Sequence, residues 1–300
     1  MREYVILTDT GSDLEQELRA PYGIEYVSMR CIIGEKDSAA DPDWGDYSAK
    51  EFYDMLRVGK RIRTAQVPPE DYKAIFEKHL SAGKDVLYIA TSSNISAGVN
   101  TARTVAVDIG AKYPENKIVI VDALRACYAL GILVLTAAEL RADGKTIDEV
   151  AAWLEENKLT ANMEGTVDKL TWLKQAGRVS ATSAFFGGLL NIKPIIMADA
   201  QGKNYAVEKT KGRKNSLERV AQRVADTYVD VPYQKVFISH ADCLEDAETL
   251  KALVCEKVGK ELNVHIGYVG CCVGASVGPG QLGVYYFGKK VTTNAPLINA

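Results

Sequence analysis

The run Thr91-Ser92-Ser93-Asn94-Ile95-Ser96 is the densest group of ligand-capable side chains in the 300-residue sequence. It follows the apolar segment Val86-Leu87-Tyr88-Ile89-Ala90 and precedes a helical pattern over 97–110. Helix starts leave backbone N–H groups unpaired and carry the positive end of the helix dipole. Hydroxyls placed there can donate to a carboxylate or phosphate. N-capping alone uses one such residue, so four hydroxyls and an amide predict a small anionic ligand, with Ser92, Ser93 and Ser96 as candidate donors.

Other loops carry chemistry of their own. Thr8-Asp9-Thr10-Gly11-Ser12-Asp13 contains an Asp-Thr-Gly-Ser string like the active-site loop of aspartic proteases. That chemistry shares one proton between two carboxylates, and here the string occurs once, in α/β surroundings. The expected role is a turn, with Asp9 at the strand end, Gly11 at the bend and Ser12 capping Asp13 onward. Thr64-Ala65-Gln66-Val67-Pro68-Pro69 reads as a rigid helix entry. Gln175-Ala176-Gly177-Arg178 ends a helix on a cation. Val273-Gly274-Ala275-Ser276-Val277-Gly278-Pro279-Gly280 lets backbone N–H groups approach a ligand closely, but matches neither the Walker nor the dinucleotide pattern. The basic cluster Lys209 to Lys214 could recruit a phosphate or carboxylate, or simply be solvated.

The elements that must position these loops alternate. Tyr4–Leu7, Val86–Ala90 and Ile118–Val121 are continuous apolar runs, suited to parallel strands covered on both faces. Helical patterns over 48–56, 69–80, 97–110 and 126–142 lie between and after them. Thr146-Ile147-Asp148-Glu149 is a capping-box pattern starting another helix. Beyond it come a strand over 160–167, helices over 169–175 and 182–190, and a hairpin from Lys193–Ala198 through Ala200-Gln201-Gly202 to Tyr205–Thr210. Later elements are a helix over 217–228, strands over 236–239 and 264–269, a helix over 245–258 and a last strand over 283–287. The pattern predicts two α/β domains: a three-layer domain with a parallel sheet over 1–158, and one with a mixed sheet over 159–291, followed by a tail over 292–300. A cleft between two such lobes is a common ligand site.

Composition narrows the function class. Net charge is −3, with 47% apolar and 25% charged residues. No long basic stripe suggests nucleic acid, and no apolar run is long enough for membrane insertion. The six cysteines lack C-x-x-C spacing, and three scattered histidines form no metal motif. The expectation is a cytoplasmic protein with free thiols, no metal and no cofactor.

In order along the chain, several segments together resemble the DegV family of bacterial lipid-binding proteins. Thr8-Asp9-Thr10-Gly11-Ser12-Asp13-Leu14 is similar to the family's T-D-S-x-x-D-L. Thr64-Ala65-Gln66-Val67-Pro68 is similar to T-S-Q-P-S, and Ser92-Ser93-Asn94-Ile95-Ser96-Ala97-Gly98 to S-S-x-L-S-G-T. Gly177-Arg178-Val179-Ser180 matches G-R-[IV]-S, and Leu189-Leu190-Asn191-Ile192-Lys193-Pro194-Ile195 matches L-L-x-I-K-P-[IV]. Val273 to Gly280 resembles I-G-x-H-x-G-P-G.

The resemblance implies a long-chain fatty acid held at the domain junction, its acyl chain in an apolar tunnel. Thr64, Ser92 and Ser93 would hold the carboxylate, with Ser96, Arg178, Ser276 and Gly278 completing the site. It also implies that a separate kinase subunit could convert the presented carboxylate to an acyl phosphate. Two departures stand out: Ser276 replaces the family histidine, and Lys211 replaces a frequent arginine, keeping charge without the bidentate fork. The rival readings are a serine hydrolase using Ser93 with His240 or Asp9, which lacks a G-x-S-x-G elbow, and a carrier for another amphiphile or small anion.

Overall fold

The computed structural model describes residues 2–180 and 191–295; the helix expected over 182–190 lies outside them. The first half supplies β1 (Tyr4–Asp9), α1 (Gln16–Arg19), β2 (Glu25–Val27), β3 (Arg30–Ile33), β4 (Lys36–Ala39), α2 (Ala49–Arg57), β5 (Ile62–Ala65), α3 (Pro69–Ser81), β6 (Asp85–Ala90), α4 (Gly98–Gly110), β7 (Ile118–Asp122), α5 (Tyr128–Ala142) and α6 (Ile147–Asn157). The second supplies β8 (Ala161–Thr166), α7 (Leu170–Ala176), β9 (Val179–Ser180), β10 (Ile192–Ala198), β11 (Asn204–Lys211), α8 (Arg213–Thr227), β12 (Val236–His240), α9 (Leu244–Val258), β13 (Val264–Tyr268), α10 (Cys271–Val277) and β14 (Leu282–Phe287).

The first half is built on a parallel sheet of order β2-β1-β6-β7. Every residue of β1 and β6 is buried, as a sheet covered on both faces requires. Side chains alternate between the layers. Tyr4, Ile6, Leu87 and Ile89 meet α5 and α6. Val5, Leu7, Val86 and Tyr88 meet Tyr72 and Phe76 of α3 and Val99 and Ala102 of α4. Ser48 and Thr146 both form reciprocal capping boxes, at α2 and α6.

A second sheet in this half was not expected from the sequence. Strands β4-β3-β5 form a three-stranded antiparallel sheet, with Cys31 opposite Thr64. Its strands are short and partly exposed, so they carry no continuous apolar run. The turn after β1 also differs from expectation. Asp9 is the cap, its Oδ1 accepting from the Gly11 N–H at 2.9 Å, and Thr10–Ser12 form one 3-10 turn.

The second half is a seven-stranded mixed sheet of order β13-β12-β14-β8-β10-β11-β9. One face packs on α8 and α9 through Ile195, Ile238, Val284 and Tyr286. The other packs on α5 through Phe237, Tyr285 and Phe287. Helix α5 is therefore buried on nearly all sides between two sheets. Its apolar circumference in the sequence reflects this position. No helix of the described residues is long and apolar enough to cross a membrane.

Asp13 is enclosed where the halves meet, in a left-handed conformation with φ +56°. Its oxygens make no hydrogen bond of good geometry. Burial pushes its carboxyl up to about 8, with the Cys127 thiol and the Gly270 N–H only partly offsetting this. An unfolded aspartate titrates near 3.9. The neutral acid thus favours the folded chain, and that contribution is full below about pH 4 and lost as pH rises through about 8. An asparagine side chain at this position would remain neutral and tolerate the left-handed backbone. We expect Asp13→Asn to gain in Tm over the parent as pH rises from about 5 to 8. A Tm difference independent of pH would show that Asp13 is ionised in the folded protein.

Candidate ligand-binding site

A cavity of about 250 Å³ lies between the three-stranded sheet, α10 and the turn after β6. Thr64 reaches it from β5, Ser96 from the residues before α4, Ser276 from α10 and Arg178 from the link between α7 and β9. Thr91, Gln66 and Asn204 add further polar groups. The hydroxyls of Thr64 and Ser276 make no hydrogen bond to another described residue, so both can serve a ligand. Ser96 Oγ accepts from the N–H of Gly98, the first residue of α4, at 3.2 Å.

The cavity continues in two directions. Outward, Thr64, Arg178 and Ser276 also line a surface groove of about 740 Å³ whose rim holds Lys60, Arg61 and Arg63. All three rim cations and Arg178 are exposed, and none is paired with a carboxylate among the described residues. Inward, Ala126, Asn204, Val273 and Val277 are shared with a deeper chamber of about 50 Å³. Its walls include Met163, Val167, Ile196 and Ala198.

The remaining expected site residues lie elsewhere. Ser92 is fully buried, and its hydroxyl donates to the Gly202 carbonyl at 2.8 Å in the β10–β11 turn. Gly202 has φ +80°, and a Cβ there would come within 2.3 Å of Ser92 Oγ, so only glycine fits. Ser93 donates its backbone N–H to Asp122 Oδ1 at 3.2 Å and does not line the cavity. Gly278, at φ +71°, packs under Trp172, whose ring would be 2.3 Å from an added Cβ. Helix α4 begins only at Gly98, so the hydroxyl run is a separate turn and not the first turn of the helix.

Asp9 receives the Gly11 and Thr91 N–H groups and the Tyr88 and Thr91 hydroxyls. Burial raises its pKa, and the Thr91 bonds oppose the rise. With both oxygens engaged, it is unavailable to activate Ser93. His240 is buried on β12, and its Nδ1 accepts from the Cys243 N–H at 3.3 Å. Among the described residues neither Asp9 nor His240 is hydrogen-bonded to Ser93.

Asn204 was not singled out in the sequence, where it looks like the ordinary start of a hairpin strand; Thr91 and Gln66 stand within the hydroxyl run and the Thr64–Pro68 segment read from the sequence. The assignment of Ser92 to the hairpin has a measurable consequence. Ser92→Ala leaves a buried carbonyl unpaired and should cost about 1–3 kcal/mol in chemical denaturation. The folded variant should keep its ligand affinity; a loss of affinity without a loss of stability would put Ser92 back on the ligand.

Known proteins share this architecture. The DegV family model matches residues 3–289. A DegV domain-containing protein of Clostridium perfringens is 37% identical over 288 residues, spanning 96% of this chain and 98% of its own length. The structure of DegV from Bacillus subtilis, described as a fatty acid binding protein, aligns with a TM-score of 0.81 at 25% identity, covering 96% of this chain and all of that one. A stearic acid-binding protein of Eubacterium ventriosum aligns with a TM-score of 0.85 at 19% identity over 96% of this chain and 99% of its own. With the family model spanning nearly the whole chain, this protein belongs to the DegV family.

Proposed function

We propose that the protein binds a long-chain fatty acid, with the carboxylate at Thr64, Ser96, Arg178 and Ser276 and the acyl chain directed into the deeper chamber. The observation carrying this reading is a row of adjoining cavities with shared walls, hydroxylated and cationic at one end and largely apolar at the other. Each end suits one part of an amphiphile. A buried carboxylate without hydrogen bonds would cost several kcal/mol, and the free hydroxyls of Thr64 and Ser276 supply donors. Each methylene removed from water contributes about 0.8 kcal/mol. The unpaired cations of the rim would also speed the approach of an anionic ligand.

On this reading the protein is a binding protein and not an independent catalyst. The groove leaves the carboxylate end reachable from outside, where a separate kinase subunit could act on it. The Bacillus protein's description as fatty acid binding and the Eubacterium protein's as stearic acid-binding support the ligand class.

Mass spectrometry of a denatured extract of the purified protein should reveal a fatty acid. Delipidated protein should gain thermal stability when fatty acid is restored. Thr64→Val combined with Arg178→Ala should weaken binding by about tenfold or more, since each removes a carboxylate contact worth on the order of 1 kcal/mol. An extract without lipid and no thermal shift would overturn the reading.

A further inference from the structure

The two cysteines that open α10 face different spaces, as successive residues of a helical turn do. Cys272 lines the ligand cavity, with its Sγ 3.8 Å from Thr10 Oγ1. Cys271 lines a separate pocket of about 240 Å³ between α10, β3 and the loop from β4 to α2, and Cys31 of β3 lines the same pocket. The thiols of Cys31 and Cys271 are in hydrogen-bonding contact. Both are free; Cys31 is buried and Cys271 is partly exposed. The pair also joins two walls of the head-group site. Cys31 stands directly opposite Thr64 in the β3–β5 register. Cys271 is the first residue of the helix that carries Ser276.

We propose that Cys31 and Cys271 are a redox modification site, which a peroxide converts to a disulfide that ties the sheet bearing Thr64 to the helix bearing Ser276 and slows ligand passage through the mouth. The Cys271 thiolate attacks one peroxide oxygen and the O–O bond breaks, leaving a sulfenic acid and a hydroxide that takes up the thiol proton as water. The Cys31 thiolate then attacks the sulfenic sulfur, forming the S–S bond and expelling hydroxide, which takes the second thiol proton. Two thiols and one peroxide thus become one disulfide and two waters. The bond needs a sulfur–sulfur distance of about 2 Å, so closure draws β3 and α10 together. Bridging Cys271 to the adjacent Cys272 instead would distort the first turn of α10. The contact with Cys271, and burial, push the Cys31 thiol well up; Cys272 and burial raise Cys271, with Cys31 opposing the rise. Reactive thiolate is therefore scarce at neutral pH, and oxidation should quicken as pH rises. The effect on ligand passage rests on the fatty-acid reading above; the disulfide itself does not.

The test exposes the folded protein to hydrogen peroxide, blocks the remaining thiols and maps disulfides by peptide mass spectrometry. The expected product is a Cys31–Cys271 crosslink that dithiothreitol reverses. Release of a fluorescent fatty acid should be severalfold slower from the oxidised protein than from the reduced one. Cys31→Ser should abolish both the crosslink and the slowing, whereas Cys272→Ser should keep the crosslink. Cys31→Ala serves if the serine variant does not fold. The proposal is overturned if no crosslink forms, if it joins another pair, or if oxidised and reduced protein release the ligand at the same rate. Failure of the reduced protein to bind any fatty acid would overturn the fatty-acid reading, and the claim of slowed passage with it.

Discussion

Arg125 is a cation almost without water, 1% exposed, and the junction of the two halves is organised around it. Its guanidinium donates to four backbone carbonyls, those of Leu124, Leu159, Ala161 and Asp199. These belong to the loop after β7, the turn between α6 and β8, the start of β8 and the turn after β10. Burial lowers its pKa to about 10, with the nearby Asp199 charge opposing the fall, so it stays charged at neutral pH. Losing any one of these carbonyls would leave a buried charge less well solvated. The adjoining backbone is strained, with Leu124 and Cys127 at φ of +52° and +53°. Such conformations cost about 1–3 kcal/mol each and persist where surrounding contacts fix them. Between these two residues sits Ala126, which lines both chambers. The bonds that hold Arg125 therefore also fix one wall of both cavities.

The two halves share a core across α5, which packs on β1 and β6 on one side and on β12 and β14 on the other. Further bonds cross the junction away from the cavity. The Tyr53 hydroxyl donates to the Val269 carbonyl at 2.5 Å, and Asn94 Nδ2 donates to the Gln201 carbonyl at 2.6 Å. A junction tied at several points keeps a defined path between the halves. Along it, polarity changes from unpaired cations at the groove, through hydroxyls, to largely apolar walls.

Much of this was legible in the sequence, for identifiable reasons. β1 and β6 could be read because burial on both faces demands unbroken apolar runs. α6 could be read because its capping box is local. The β10–β11 hairpin could be read because Gly202 marks its turn. β3, β4 and β5 could not, since short strands with one open face look like loops. At the site, Thr64, Ser96, Arg178 and Ser276 converge, although they are spread over more than two hundred residues of sequence. Ser92 does not join them, because a hydroxyl that satisfies a backbone carbonyl has the same chemistry as one that meets a ligand. Only the position of Gly202 separates the two cases.

Thr64 stands on a peripheral sheet of short, partly exposed strands, whereas Ala126 and Tyr285 belong to the junction and the main core. Substitutions in β3, β4 or β5 would disturb few fully buried contacts. Changes around Arg125 would strain the joint that holds the halves together. Selection could thus remodel the mouth while the interior stays under the discipline of folding. Family members would be freer to diverge at the rim of the groove than in the shape of the space behind it.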